Sequence, residues 1–266
     1  MRLIVFLGLF LPIMLSGLSV YFFKINTKVL KLLVAFSGAY LISLIFNELV
    51  PQIYYAVDHI QHEHDASCAH GHHHHSTHHV IGLLILSGFF LQLILDYLTK
   101  GVEHGHLEHH HESHHNHTAN VMSISLWPLM IGLCLHSFLE GMPLAREFDS
   151  VELQNKLLIG IIVHNIPISI VLATLMLHNN IKRPKAIIFL LIFALSAPAG
   201  ALFTNLLGAH FIADADMFFK YTMAVVVGIF LHISTTILFE SDQNHRFNFI
   251  KFIVMVAGAL AALIHF

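Results

Sequence analysis

The chain has 266 residues, of which 56% are hydrophobic and 11% are charged, and its mean hydropathy is +0.73. Because soluble domains carry about 25% charged residues, this composition excludes an ordinary water-soluble protein and indicates one embedded in a lipid bilayer. The formal net charge of −3 gives no reason to expect a nucleic-acid partner.

Eight apolar stretches are candidates for membrane-spanning helices, each of which needs about 20 residues. They cover residues 2–23, 30–50, 80–99, 123–145, 157–178, 186–208, 218–239 and 250–266. The connections between them are short, so we expect one transmembrane domain over residues 1–266, an all-α integral membrane protein with eight transmembrane helices.

The basic residues of the connections predict the orientation. With the N-terminus outside, most of them face the cytoplasm: Lys24, Lys28, Lys31, Lys100, Lys182, Arg183, Lys185, Arg246 and Lys251. Fewer lie outside: Arg2, Arg146, Lys156 and Lys220. The positive-inside rule favours this orientation, which places both termini outside.

The first two segments contain few polar residues. Residues 2–23 form an apolar run too long for a signal peptide, so we interpret them as the first spanning helix. Asn47 and Glu48 lie near the expected outer end of the second segment. Two interpretations remain open for them, solvated interfacial side chains or contacts on an ion pathway.

Two connections are rich in histidine. Residues 59–79 hold 10 and residues 104–117 hold 8 of the chain's 25 histidines. Neutral imidazole binds zinc and similar divalent ions, and flexible tracts bind them without a preformed cage. We therefore predict metal handling outside for the first tract and on the cytoplasmic side for the second. The tracts alone do not separate a transporter from a sensor.

The fourth segment contains "LCLHSFLEGMPL", residues 133–144. His136 and Glu140 are one helical turn apart, and Ser137 shares their side of the helix. Ionisable residues within spanning helices usually face the interior of a bundle or an aqueous pathway. These residues are therefore candidates for a functional site.

The fifth segment contributes a second polar group, His164 and Asn165. If the fourth segment ends near Leu144 and the fifth begins near Leu157, His136 and His164 lie at nearly equal depth. Two histidines and a carboxylate at one level predict a metal site. The alternative is that His136 and Glu140 bond each other and only join helices.

Two prolines accompany this polar group. Pro143 frees the carbonyl of Leu139, and Pro167 frees the carbonyl of Val163. Because a proline ring also clashes with the preceding turn, we expect both helices to be kinked there. Freed carbonyls near a midplane site recur in transporters.

Two residues of the seventh segment are candidates for the pathway. His232 lies within the segment, as a secondary contact or as part of an interhelical hydrogen bond. Glu240 lies near its inner end, at the expected exit.

Together these residues resemble the ZIP (Zrt/Irt-like) family of divalent-metal transporters. The likeness is in "HSFLEG" and "HNIP", and it extends to "SGAYLISLIFNELVP", "SGFFLQLILDYL", "LSAPAGALF" and "VGIFLHISTTILFE". The resemblance implies eight helices with both termini outside. It also implies that the fourth and fifth helices hold the transported ion, with these residues at ligand positions: His136, Glu140 and His164, together with Ser137 and Asn165.

The chain departs from the family pattern at two places. Ile168 and Ser169 occupy the turn after His164, where the family usually has Glu or His, and Ala197 stands where many bacterial members have Glu. A site for two ions bridged by carboxylates is therefore not expected. We predict one principal ion, its coordination completed by water or by the Ser137 and Asn165 side chains.

The predicted function is transport of divalent metal toward the cytoplasm, and no enzymatic activity is expected. Zn²⁺ is the favoured ion, with Fe²⁺, Mn²⁺ and Cd²⁺ as alternatives and no organic cofactor. The expected partners are the metal ions and the lipid bilayer of the plasma or inner membrane, with a homodimer left open. An intramembrane zinc hydrolase and a metal sensor or buffer are the competing functions.

Overall fold

A computed structural model describes residues 3–55, 74–99, 126–145, 151–210, 215–239 and 249–264. The tract at 104–117 and Glu240 lie outside the described residues, as does most of the tract at 59–79. Within the described ranges the regular secondary structure is entirely helical, which confirms the predicted all-α class.

Eight α-helices form the described structure. They are α1 (Leu3–Ser19), α2 (Thr27–Leu44), α3 (His74–Thr99), α4 (Leu126–Gly141), α5 (Val151–His178), α6 (Arg183–His210), α7 (Ala215–Phe239) and α8 (Phe249–Ala261). Two of them continue in other helical forms. A π-helical turn, Ile45–Leu49, extends α2, and a 3-10 turn, Met142–Ala145, extends α4.

Six of the described helices are long and apolar enough to cross a membrane: those within Thr27–Tyr55, His78–Leu98, Leu126–Ala145, Val151–His178, Arg183–Leu207 and Met217–Phe239. The first and last helices, α1 and α8, are apolar but shorter. The last predicted segment was too long, because α8 ends at Ala261 and the chain then turns. The chain is a multi-pass integral membrane protein.

The helices pack in a bundle, and among the six long helices α5 and α7 are the most buried and α3 is the least buried. The main pairs are α3 with α7, α2 with α8, α4 with α6, and α1 with α5. One apolar cluster joins α2, α5 and α7, and a second joins α1, α4, α5 and α6. The polar residues of α4 and α5 therefore lie inside the bundle.

Glycines allow two of these helix pairs to approach at backbone distance. A methyl group on Gly88 of α3 would overlap the carbonyl of Val225 on α7, and one on Gly228 would overlap the carbonyl of Ile85. Such reciprocal contacts are typical of membrane helices, where small residues let backbones meet. The contacts fix α3 against α7.

The same arrangement holds α4 against α6. Gly141 lies against the carbonyl of Ala197, and Gly200 lies against the carbonyl of Phe138. Because Gly141 directly follows Glu140, this close packing sets where that carboxylate stands relative to α6.

The predicted start of the fifth helix was wrong by about two turns. Helix α5 begins at Val151, whereas the apolar pattern indicated residue 157. The first two turns of α5 contain several polar residues, so the apolar pattern of the sequence did not reveal where the helix begins. Lys156, which the sequence analysis placed in an outer connection, is instead buried within α5, where carboxylates surround its ammonium group.

Candidate metal centre

Three ionisable side chains meet between α4 and α5. His136, Glu140 and His164 are fully buried, and one potential ligand atom from each lies within 4.8 Å of the others. Nε2 of His136 is 3.2 Å from Oε1 of Glu140, and Nε2 of His164 is 3.8 Å from the same oxygen. Two imidazole nitrogens therefore face one carboxylate oxygen.

The two imidazole rings lie close together. Their centroids are 5.7 Å apart and their planes are nearly perpendicular. The depth argument assumed that the fifth helix begins near Leu157, and this premise was wrong because α5 begins at Val151.

Asn165 binds the other oxygen of the carboxylate. Its Nδ2 donates to Oε2 of Glu140 at 2.7 Å and to the carbonyl of Ile161 at 3.0 Å. The first bond stabilises Glu140 as a carboxylate and leaves Oε1 facing the imidazoles. Asn165 thereby fixes the direction of the proposed ligand oxygen.

The residues that directly follow His136 and His164 in the sequence each contribute a buried oxygen atom. Ser137 Oγ and Asn165 Oδ1 have no hydrogen-bond partner in the part of the chain that the structure describes. Buried polar atoms are normally satisfied, so both oxygens suit the outer coordination of a bound ion or of its water. Their role as ligands stays a prediction.

Gln92 of α3 belongs to this site, and the sequence analysis missed it. It is fully buried, and its Oε1 lies 3.0 Å from Nδ1 of His136. The available signal was an amide side chain in the middle of an apolar spanning segment. The sequence analysis considered uncharged side chains only directly beside an ionisable residue, and the sequence neighbours of Gln92 are leucines.

The residues that distinguish this chain from the family pattern do not add carboxylates to the centre. Ser169 Oγ is 2.6 Å from Ser16 Oγ of α1 and donates to the carbonyl of Ile166. The side chain of Ile168 is buried and apolar. Ala197 contributes its backbone carbonyl to the contact with Gly141. Among the described residues, one group of three potential ligands is found.

Glu48, in the π-helical turn that extends α2, is part of an ionic cluster. Nζ of Lys156 lies 2.6 Å from Oε1 of Glu48 and 2.9 Å from Oε1 of Glu152. The hydroxyl of Tyr40 donates to the carbonyl of Lys156 at 3.0 Å. This cluster joins α2 to α5, so Glu48 is ion-paired rather than simply solvated.

The remaining pathway candidates lie in different surroundings. Asn47 is exposed and donates from Nδ2 to the carbonyl of Ser43. His232 is buried, and its ring packs edge-on against Phe89 at 4.9 Å. Neither belongs to the cluster of three ligands, and their part in a pathway stays a prediction.

The two prolines lie beside the site. Pro143 is in the 3-10 turn that follows α4, so the α-helical pattern ends between Glu140 and this proline. Pro167 lies inside α5, which remains helical on both sides of it. The expected kinks remain predictions.

Comparison with known proteins identifies the family of this chain. Residues 103–265 match the model of the family described as ZIP zinc transporter, and this match covers more than half of the chain. The chain belongs to the ZIP family. The matched region contains α4 to α8, and hence both helices of the candidate centre.

Curated relatives of this ZIP-family chain include zinc transporter ZIP9-B of Xenopus laevis, 26% identical over 144 residues. That alignment covers 53% of this chain and 45% of the relative. Zinc transporter ZIP9 of Micropogonias undulatus is 28% identical over 139 residues, which are 52% of this chain and 42% of that relative. The aligned region thus spans less than half the length of these relatives.

Proposed function

We propose that this ZIP-family protein transports divalent metal ions, with Zn²⁺ as the main substrate, through the centre between α4 and α5. One observation carries the proposal. Two imidazoles and a carboxylate, supplied by two helices, converge at a fully buried position inside a membrane protein. Ionisable groups are costly there and usually serve an ion pathway.

The donor set suits zinc. Zn²⁺ is commonly bound by nitrogen from His and oxygen from a carboxylate, and His136, His164 and Glu140 supply these atoms. Imidazole also accommodates Fe²⁺ and Cd²⁺, whereas Mn²⁺ prefers oxygen ligands. Uptake of Mn²⁺ is therefore expected to be weaker than uptake of Zn²⁺.

The net charge of the centre suits a transported ion rather than a permanent one. Glu140 is the only carboxylate of the three-residue group, so a divalent ion would retain one uncompensated positive charge. A pathway site must bind its ion firmly enough for entry and weakly enough for release. We infer a single principal ion, because Ile168 and Ala197 supply no further carboxylate.

The alternatives use the same residues differently. A hydrolase would use Glu140 or a neighbour to activate a metal-bound water and would not need to release the ion. A sensor or buffer would use the histidine tracts and need no buried site. A pair that only joins helices would not require His164 beside the same oxygen. Family membership adds to the case for transport.

Direction and location complete the proposal. With both termini outside, as the distribution of basic residues favours, transport toward the cytoplasm moves metal from the side of the first histidine tract to that of the second. We place the protein in the plasma or inner membrane, as a single domain, with a homodimer as an open possibility.

Uptake by the purified full chain in sealed proteoliposomes tests the proposal. Radiolabelled Zn²⁺, Fe²⁺, Mn²⁺ and Cd²⁺ are offered separately, with protein-free liposomes as the control. Uptake of Zn²⁺ above the control supports transport. Tight binding without flux indicates a buffer or sensor, and zinc-dependent cleavage of a peptide or lipid indicates a hydrolase.

A further inference from the structure

Gln92 contacts His136 from a third helix. Its Oε1 lies 3.0 Å from Nδ1 of the ring, while Nε2 on the other side of the ring faces Glu140 at 3.2 Å. Both side chains are fully buried. The two contacts use different ring nitrogens, so Gln92 holds the ring from outside the cluster of three ligands.

The chemistry of imidazole gives this contact a consequence. A neutral ring has one N–H and one nitrogen lone pair, so Nε2 can coordinate only if the proton is on Nδ1. An amide oxygen accepts hydrogen bonds and cannot donate them. The contact with Oε1 therefore favours the Nδ1–H form, the form in which Nε2 is ready to bind metal.

We propose that Gln92 is a positioning residue that keeps Nδ1 of His136 protonated and directs Nε2 at the transported ion. This inference rests on the proposed function, since it assumes a transition-metal ion at the centre. It also couples α3 to the site. Helix α3 packs against α4, so any displacement between these helices would loosen the His136 ligand.

The neutral amide has an advantage over a carboxylate at this position. A carboxylate would also accept from Nδ1–H, but it would add a second buried negative charge near a divalent ion and strengthen its binding. Gln92 orients the ring without that charge. The amide thus suits a site that must release its ion.

Two substitutions separate positioning from packing. Gln92→Met has nearly the same size and removes the acceptor, whereas Gln92→Glu keeps the acceptor and adds charge. If Gln92 positions His136, zinc affinity falls roughly 10- to 100-fold in Gln92→Met and stays within about threefold of wild type or rises in Gln92→Glu. If the residue only fills space, zinc affinity should instead be near that of wild type in Gln92→Met and reduced in Gln92→Glu, because Met is tolerated there and a buried carboxylate is not.

Zinc affinity is measured by calorimetry on the full chain, with the histidines of 59–79 and 104–117 replaced by Ser in every variant. This background retains seven of the 25 histidines and removes competing loop sites. Circular dichroism and thermal unfolding confirm that each variant is folded. Equal zinc affinity of wild type and folded Gln92→Met would overturn the inference.

Nitrogen NMR of ¹⁵N-histidine-labelled, zinc-loaded protein reports which ring nitrogen carries the proton and which binds the ion. The zinc-loaded state is used because Nε2 of the zinc-free ring faces the carboxylate of Glu140 and could donate to it. The His136 signals are those that disappear in His136→Ala. We expect the proton on Nδ1 and zinc on Nε2 in wild type and in Gln92→Glu; a wild-type ring that binds zinc through Nδ1 overturns the inference. This readout is independent of flux. The expected tautomer and affinities in a protein that takes up no zinc would contradict the proposed transport and leave the role of Gln92 supported.

Discussion

At the scale of single residues, the centre depends on where two carboxylate oxygens of Glu140 point. Oε2 accepts from Asn165, and Oε1 faces the imidazoles of His136 and His164. This division explains how a buried acidic side chain is both held in place and available. The bond from Asn165 replaces part of the hydration that the carboxylate loses on burial.

Replacement of a proposed ligand should abolish most uptake. We expect His136→Ala, Glu140→Ala and His164→Ala each to lower zinc uptake by more than the roughly 10- to 100-fold that loss of an outer contact costs. Initial rates in proteoliposomes at matched protein content measure the effect. Ser87→Ala is the control, because Ser87 is exposed on α3 and bonds the carbonyl of Leu84 in its own helix. Wild-type uptake in folded His136→Ala and Glu140→Ala would refute the site.

Zinc binding should weaken as the solution becomes more acidic. Imidazole coordinates only when neutral, and its ordinary pKa is about 6.5, so protons compete with the ion at His136 and His164. We expect affinity to fall between about pH 7 and pH 5, with protons released on binding. Calorimetry on the chain without tract histidines measures both quantities. Affinity that is constant over this range would exclude the two histidines as joint ligands.

At the scale of helices, glycine contacts position the elements that carry the site. Helix α3, with Gln92, is held on α7 by Gly88 and Gly228, and α4 is held on α6 by Gly141 and Gly200. Backbones this close leave no space for a side chain. The separations of these helices are therefore fixed by steric exclusion rather than by adaptable side chains.

Gly88→Ala should destabilise the protein. Its methyl group would overlap the carbonyl of Val225, which is backbone and cannot rotate away, so we expect a loss of about 1–3 kcal/mol or more. Thermal unfolding in detergent measures the change. Gly82→Ala on the same helix is the matched control, because a methyl group there meets nothing within 4 Å. Equal unfolding temperatures of the two variants would show that the α3–α7 contact is not tight.

Substitutions in the ionic cluster between α2 and α5 should lower the stability of the protein non-additively. Lys156 is fully buried and has two carboxylate partners, so Glu48→Gln or Glu152→Gln alone leaves its charge compensated. Removal of both carboxylates isolates the ammonium group, and we expect a loss of about 3–5 kcal/mol. Thermal unfolding of the single and double variants tests this. Addition of Lys156→Met to the double variant should restore stability, and strictly additive single effects would argue against the shared pairing.

At the scale of the whole molecule, the buried centre and the histidine tracts differ in kind. The centre is built from residues that three packed helices hold in place, whereas the tracts are long runs of one ligand type. The first tract was expected to be a connection, but its last residues, 74–79, form the beginning of α3. His78, at the end of the first tract, stacks on Tyr54 of the α2 extension with ring centroids 5.4 Å apart.

Replacement of the histidines in 104–117 by Ser should change the concentration dependence of uptake and leave substantial transport. The reason is that we propose a role for this tract in gathering ions, while His136, Glu140 and His164 form the buried centre. Uptake rates over a range of zinc concentrations measure the effect, with Ser87→Ala as the reference variant. Complete loss of uptake at normal protein levels would show that the permeation site had been misplaced.

Much of the molecule follows from the sequence alone. Hydropathy determined the membrane setting and the number of helices, because apolar runs near 20 residues have few other uses. The spacing of His136 and Glu140 placed them on one face of α4, since helical geometry fixes which residues share a side. The motifs on the fourth and fifth helices were enough to indicate the ZIP family.

The tertiary structure decided what depends on neighbours distant in the chain. The early start of α5 was hidden because Lys156 reads as a loop residue until Glu48 and Glu152 are seen to compensate its charge. Nothing in its own segment singled out Gln92, because its proposed role depends on a contact with His136, 44 residues away in the chain. Local periodicity records which face of a helix is apolar, but it carries no information about which helices meet. That information arises only from packing.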